Sequence, residues 1–167
     1  PNVTYHTNDG ITRFNPNLYR TGKVCVSILN TWKGPQWTSC QSITSILLCL
    51  CGSVLNDNPL LNEPGITETH RDYEKYNEII RYKNFDIAIA SMLTSDYIQV
   101  NFTSLYLEMV KHFLEHNEKI ITDISTAKSE TKYEKKELHI SLYKMHALID
   151  YEKTLIKITN LYSELKN

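Results

Sequence analysis

Val3 and Tyr5 alternate with Asn2, Thr4 and His6, the period of a short half-buried strand, and Thr7-Asn8-Asp9-Gly10 then reads as a turn. From Ile11 to Gln36 no helical period is sustained. Asn15-Pro16-Asn17, Thr21-Gly22 and Gly34-Pro35 punctuate this stretch, and long irregular segments of compact domains are often functional. The first helix is predicted from Thr38, which forms a T-x-x-Q capping box with Gln41. Its residues Ile43, Ile46, Leu47, Leu48, Cys49, Leu50, Cys51 and Val54 are apolar on most of the circumference, which places it in the middle of a core. It ends near Asn56, because Pro59 bars continuation, and Asp57–Gly65 is again irregular. A second helix is predicted over Thr69–Leu93, with Tyr76, Ile79, Ile80, Ile87 and Met92 inward. Beyond it, Tyr106, Val110, Phe113, Ile120 and Ile124 mark one helical face. Leu138, Leu142, Met145, Ile149 and Ile156 mark another, and polar Ser125–Lys136 joins them. The pattern is that of two amphipathic helices folded back as a hairpin. A coiled coil fits less well, since neither stripe keeps strict heptads.

Composition sharpens the division. All five glycines and five prolines of the 167-residue chain lie at or before Gly65. The 102 residues that follow lack both breakers, which favours helix there. Charge is denser at the end, with ten lysines and ten acids in residues 98–167. The whole chain is 41% hydrophobic and 22% charged with net charge −1, which excludes a strongly basic nucleic-acid binder, an acidic disordered tail and a collagen-like repeat. The longest apolar run, Ile46–Cys51, is too short to span a bilayer, and no secretory leader pattern is visible. No membrane or nucleic-acid partner is expected. The glycosylation patterns at Asn2-Val3-Thr4 and Asn101-Phe102-Thr103 are read as chance, and the expected location is cytoplasmic or nuclear. A start at Pro1 rather than methionine suggests a fragment or a processed product.

Four cysteines, at 25, 40, 49 and 51, have neither the paired spacing of a zinc site nor that of a secreted disulfide framework. Cys49 and Cys51 fall in the apolar helix, where inert core thiols are common. Cys40 falls in its first turn, where a lowered thiol pKa and plain packing are both open. Cys25 lies between two turn-rich stretches, and from composition alone a functional and a packed thiol are equally supported. No histidine is near it in sequence. His112 and His116 have helical metal-ligand spacing but no third ligand, so they are read as solvated and no metal or other cofactor is expected.

Phe14-Asn15-Pro16-Asn17, Gly22-Lys23-Val24-Cys25-Val26-Ser27-Ile28-Leu29 and Trp32-Lys33-Gly34-Pro35-Gln36-Trp37, followed by the apolar helix, resemble the ubiquitin-conjugating enzymes. That family has a His-Pro-Asn tripeptide whose asparagine precedes the catalytic cysteine by eight residues, the separation of Asn17 and Cys25. Asn58-Pro59, Asn62-Glu63-Pro64-Gly65 and Tyr76-Asn77-Glu78 continue the resemblance. It is closest to the large Z-type members, which also read F-N-P-N and G-K-V-C, and it covers about residues 1–95. Several short motifs in order and at the right spacing are far more specific than any one alone.

The resemblance implies an α+β fold: a partial catalytic core over residues 1–97, with a remnant antiparallel sheet against the central helix, and a helical extension over 98–167. It implies that Cys25 takes ubiquitin or a ubiquitin-like modifier from an activating enzyme as a thioester. Cys25 then passes it to a lysine amine or to a ubiquitin ligase, a thiolate being both nucleophile and leaving group. Asn17 would either donate to the tetrahedral oxyanion or fix the loop beside Cys25. Asn15 stands where the family has histidine, and with Pro16 it would support that loop. Many members carry an acidic, lysine-positioning residue after the central helix; Asn62 and Glu63 are the candidates here. The Ser-Pro-Ala that commonly follows the family's tryptophan is replaced by Thr38-Ser39-Cys40, so Trp37 and Ser39 are altered ligase-docking positions. The family also has an amino-terminal helix and two or three strands before the segment matching Pro1-Asn2-Val3. Their absence from this sequence predicts either a longer natural protein or cover supplied by self-association. The alternative reading is a catalytically idle adaptor that keeps the fold as a binding or scaffold module.

Overall fold

The computed structural model describes residues 1–166, and the chain divides into two compact units. The first comprises Pro1–Ile80 together with His139–His146; the second comprises Arg81–Leu138 and the chain from Ala147 onward. The class is α+β, helices with one small two-stranded sheet.

Most of the first unit is loop packed on one short helix. α1 (Ile43–Cys49) starts at the N-cap Ser42, which forms a reciprocal capping box with Ser45. The predicted start at Thr38 is therefore too early. The Thr38 N–H does donate to Gln41 Oε1 at 3.0 Å, but this closes a turn ahead of the helix. α1 then widens into a π-type segment, Leu50–Val54. Ile46 and Val54 enter a core with Leu18, Val24, Val26, Ile28 and Leu29, against which Val3, Tyr5, Trp37, Cys49 and Leu50 pack. Ile43, Leu47, Leu48 and Leu55 are exposed. The expectation that α1 lies in the middle of a core is thus corrected: the loop over residues 14–29 packs on one side of it only. Cys51 is likewise exposed rather than a core thiol, and Cys40 precedes the helix.

The loop is pinned by single bridges, Thr4 with Lys23, Leu18 with Val24 and Asn15 with Leu18. The strand expected at Val3–Tyr5 amounts to the first of these, and no ladder against α1 forms among the described residues. Gly22 explains how close the approach is. It has φ +88°, and a Cβ there would lie 3.1 Å from the Tyr5 carbonyl oxygen. The Tyr5 N–H donates to the Gly22 carbonyl at 2.7 Å. After a 3-10 turn, Pro59–Asn62, α2 (Tyr73–Lys83) begins four residues later than predicted. Tyr76 and Ile79 are fully buried on it, and so is Leu60 on the turn. The chain continues past α2 in a π-type segment, Asn84–Ser91.

In the second unit Ser95 caps α3 (Asp96–Asn101) by accepting from the Ile98 N–H. α4 (Thr103–Glu130) buries Phe113, Asn117, Ile124 and Ala127. The last helix buries Tyr151, Thr154, Ile158 and Leu161 and packs against α4. The two predicted amphipathic helices therefore pair, but their connection is not a polar linker. Residues expected to start the second helix form a hairpin instead, β1 (Lys136–Ile140) and β2 (Met145–Ile149), of which His139–His146 belong to the first unit, followed by α5 (Tyr151–Lys166). Leu138, Ile140, Met145, Ala147 and Ile149 are buried while Glu137, His139, His146 and Leu148 are exposed, a period of two rather than 3.6. The Leu138–Leu142–Met145–Ile149 helical stripe is corrected accordingly, and Ile156, its last member, is exposed on α5.

Asp150 stands just before α5 and accepts from the Lys153 N–H at 2.9 Å and from Lys135 Nζ at 3.2 Å. The Lys153 N–H, opposed by burial and helped by the Lys135 ammonium, holds its carboxyl below the ordinary carboxylate range. A lowered carboxyl pKa stabilises the fold above the unfolded value of about 4, and this contribution fades as pH falls through the native value. Asp150→Asn is expected to lower stability at pH 7 and to flatten its loss below about pH 4, read from urea midpoints across that range. Ile158→Ala, at a fully buried site, is expected to cost about 2–5 kcal/mol in urea unfolding, against within about 0.5 kcal/mol for Ile156→Ala.

Candidate active site

All eight residues singled out by sequence lie in the first unit. Asn15 is its centre. Pro16 sets a tight turn in which the Leu18 N–H returns to the Asn15 carbonyl at 2.9 Å. The Asn15 side chain is buried and uses both ends of its amide. Nδ2 donates to the Val54 carbonyl at 2.6 Å, and Oδ1 accepts from the Asn17 N–H at 2.9 Å. The same Oδ1 receives Asn62 Nδ2 at 3.3 Å, and Asn62 Nδ2 also reaches the Val54 carbonyl at 3.1 Å. Asn56 Nδ2 in turn donates to Asn62 Oδ1 at 2.9 Å. Three separate chain segments, Asn15–Asn17, the end of the helical segment at Val54 and Asn62, thus share one set of amides.

Asn17 and Cys25 are joined twice. The Cys25 N–H donates to the Asn17 carbonyl at 2.8 Å, and Asn17 Nδ2 donates back to the Cys25 carbonyl at 2.7 Å. The spacing of eight residues is the length of a tight excursion, Leu18–Val24, that returns the cysteine beside the asparagine through the Leu18–Val24 bridge. Cys25 is 4% exposed, and its Sγ lies 2.6 Å from the Thr31 carbonyl oxygen. The Thr31 hydroxyl accepts from the Val26 N–H at 3.0 Å and lies 3.0 Å from the Val24 carbonyl, which closes the loop around the thiol.

The remaining candidates take no part in this set of amides, although Glu63 directly follows Asn62. Glu63 accepts a hydrogen bond from the Tyr143 hydroxyl. Trp37 packs on the core cluster, its N–H donating to Asn30 Oδ1 at 2.9 Å. Ser39 is exposed on the turn before α1. Thr31, the Val54 carbonyl, Asn56 and Tyr143 were not singled out by sequence. Val54 acts through its backbone carbonyl, which any residue has, Thr31 through its carbonyl and a hydroxyl reaching back five to seven residues, and Tyr143 lies 118 residues beyond Cys25, so no local pattern marks them. Elsewhere, the His112 and His116 rings lie 4.0 Å apart between centroids, tilted by 32°. Among the described residues no group of three or more His, Cys, Asp or Glu side chains is placed to hold a metal ion, and no helix is long and apolar enough to cross a membrane.

The ubiquitin-conjugating enzyme family matches residues 1–84. The ubiquitin-conjugating enzyme E2 Z of Danio rerio is 42% identical over 112 residues, 66% of this chain and 33% of that protein. The Homo sapiens E2 Z is 45% identical over 89 residues, 52% of this chain and 25% of that protein. A probable ubiquitin-conjugating enzyme of Caenorhabditis elegans, protein 17, is 38% identical over 96 residues, 52% of this chain and 13% of that protein. The chain therefore spans a third or less of the length of these relatives.

Asn15→Leu keeps much of the volume but removes the acceptor of the Asn17 N–H and one donor to the Val54 carbonyl. It is expected to destabilise the chain by about 1–3 kcal/mol in urea unfolding and to raise the rate of Cys25 alkylation.

Proposed function

We propose that this chain, which belongs to the ubiquitin-conjugating enzyme family, carries ubiquitin or a ubiquitin-like modifier as a thioester on Cys25. The double tie between Asn17 and Cys25 is the observation that carries the reading. This supports the reading because Asn17, the last residue of the Asn15-Pro16-Asn17 tripeptide, is tied to the cysteine that stands at the family's eight-residue spacing. The catalytic core in this reading is residues 1–97, and residues 98–167 form its extension.

In the loading step the Cys25 thiolate attacks the carbonyl carbon of the thioester held by the activating enzyme. A new S–C bond forms, and the activating enzyme's sulfur leaves as thiolate. In transfer, a lysine amine of the substrate attacks the same carbonyl, or a ligase cysteine does. The tetrahedral intermediate collapses and Cys25 leaves as thiolate; on the lysine route the amine's proton passes to water, and on the ligase route one thiolate replaces another. Thiolate exchange suits loading because entering and leaving groups are alike; amide formation makes transfer to lysine downhill.

Two duties are open to Asn17, and the geometry favours the loop-fixing one in the uncharged state, since Nδ2 is engaged on the Cys25 carbonyl. An oxyanion duty would draw on the second hydrogen of the same Nδ2 and be worth about 2.7–4 kcal/mol of barrier. Asn15 and Pro16 support the loop, and Asn62 and Glu63 are the lysine-side candidates. The activating enzyme and a ligase are the partners, with Trp37 and Ser39 at the altered ligase-docking positions.

A specific observation also favours the idle-adaptor reading: the Cys25 thiol is buried and turned onto the Thr31 carbonyl. Incubation with activating enzyme, ATP and modifier separates the two. The enzyme reading expects a thiol-sensitive adduct that is lost in Cys25→Ala, and absence of any adduct on the wild type favours the adaptor. For Asn17→Ala, charging is expected to persist while discharge to lysine slows by about 100-fold or more, read in single turnover, if the oxyanion duty holds. Unchanged discharge removes Asn17 from the chemistry.

A further inference from the structure

Tyr143 belongs to the turn between β1 and β2, far from Cys25 in sequence, yet it is bound into the first unit from several sides. Its hydroxyl donates to the Glu63 carboxylate. Its ring stands edge-on to Tyr76, centroids 6.2 Å apart. The Arg13 guanidinium lies 4.4 Å from the Tyr143 ring centre and 3.8 Å from that of Tyr19, a double cation–π contact. Tyr76 secures the same arginine segment, its hydroxyl donating to the Arg13 carbonyl at 2.8 Å. The Arg20 guanidinium donates to the Tyr143 carbonyl, and Asp72 accepts from the Leu142 N–H at 2.9 Å.

The backbone carries a second mark. Tyr143 and Lys144 have φ of 61° and 50°, left-handed values that glycine adopts freely and other residues at a cost. Such conformations persist where the surroundings over-determine them, and here the anchors are side chains of the loop-bearing unit rather than of the hairpin itself. Burial first, and then the Glu63 carboxylate, push the Tyr143 hydroxyl above the ordinary tyrosine range, so it remains a donor at neutral pH.

From Glu63 the connection runs one residue back to Asn62. The Asn62 amide bonds to Val54 and Asn15, the Asn15 Oδ1 holds the Asn17 N–H, and Asn17 holds the Cys25 carbonyl. We propose that Tyr143 is a positioning residue for transfer from Cys25: by anchoring Glu63 it keeps Asn62 on Asn15 and so keeps Asn17 beside the thioester. The proposal rests on the reading of Cys25 as the modifier's carrier. It assigns a part in that reaction to the carboxyl-terminal hairpin, which lies beyond the residues that the family match covers. Glu63 acts in this arrangement as the anchor point for the Tyr143 hydroxyl.

The test compares wild type, Tyr143→Phe, Glu63→Gln and the double variant of the full chain. Phenylalanine keeps the ring among Arg13 and Tyr76 and removes only the hydroxyl. Amide hydrogen exchange at Asn17 and Glu63 is expected to quicken about tenfold in Tyr143→Phe, the scale of one hydrogen bond to a charged group, with the amides of Ile124 and Ile158 unchanged. Discharge of preloaded Cys25 to free lysine is expected to slow by about the same factor at saturating lysine, with the KM for lysine unmoved. The double variant is expected to be no slower than the slower single variant, because both act on one interaction, Tyr143→Phe removing its donor and Glu63→Gln the charge of its acceptor. Unchanged exchange at Asn17, or single effects that multiply in the double variant, overturns the proposal. If the wild type forms no thioester, the carrier reading falls by itself, and the exchange measurements alone decide whether Tyr143 holds the loop.

Discussion

Asn15 is 2% exposed, and a buried amide that size must find partners for a carbonyl oxygen and for an NH2 group or cost the fold dearly. It finds them on the Val54 carbonyl, the Asn17 N–H and the Asn62 amide. Everything around Cys25 depends on this arrangement. The first unit has little regular structure near the cysteine, so no helix or sheet ladder satisfies the loop's backbone. Isolated backbone bonds such as Cys25 N–H to the Asn17 carbonyl share that work with side-chain amides, and the amides act together only if Asn15, Val54 and Asn62 are brought together at once. The place that the family pattern gives to histidine is filled by an amide of similar reach. It offers one acceptor and two donors where a neutral imidazole offers one of each.

The same dependence explains why α1 is short and unevenly covered. Its end must deliver the Val54 carbonyl to Asn15, and the π-type widening over Leu50–Val54 precedes that delivery. Ile46 and Val54 pay out the hydrophobic contribution on the loop side, while Leu47 and Leu48 remain at 55% and 68% exposure. A helix apolar around most of its surface is thus compatible with one-sided packing. Hydrophobicity states how much a side chain gains from cover, and not whether this chain provides the cover.

How legible the molecule was varied with the range of the forces involved. α4 and its amphipathic face followed from local spacing, since Phe113 and Ile124 are where a 3.6-residue period puts them. The hairpin over residues 136–149 did not, because Leu138, Leu142, Met145 and Ile149 also satisfy a helical stripe. Two periods compete in so short a stretch, and burial of Ile140 and Ala147 decides for the strand. The capping box misled for a related reason: Thr38 with Gln41 and Ser42 with Ser45 are both good local solutions, and only the second lies where the helix can pack.

From the residues came the resemblance to the family, and through it the α+β class and the pairing of Asn17 with Cys25, because the motifs that carry the resemblance are written in order and spacing along a continuous stretch. Local chemistry also marked the turn at Asn15-Pro16-Asn17. The tertiary structure decided which partners those residues have. It buried Cys25 against Thr31, closed the amide network through Val54 and Asn62, and brought Tyr143 onto Glu63 across 80 residues of chain. Those contacts depend on backbone carbonyls and on chain reversals, which carry no residue signature, so they exist for the reader only once the chain has folded.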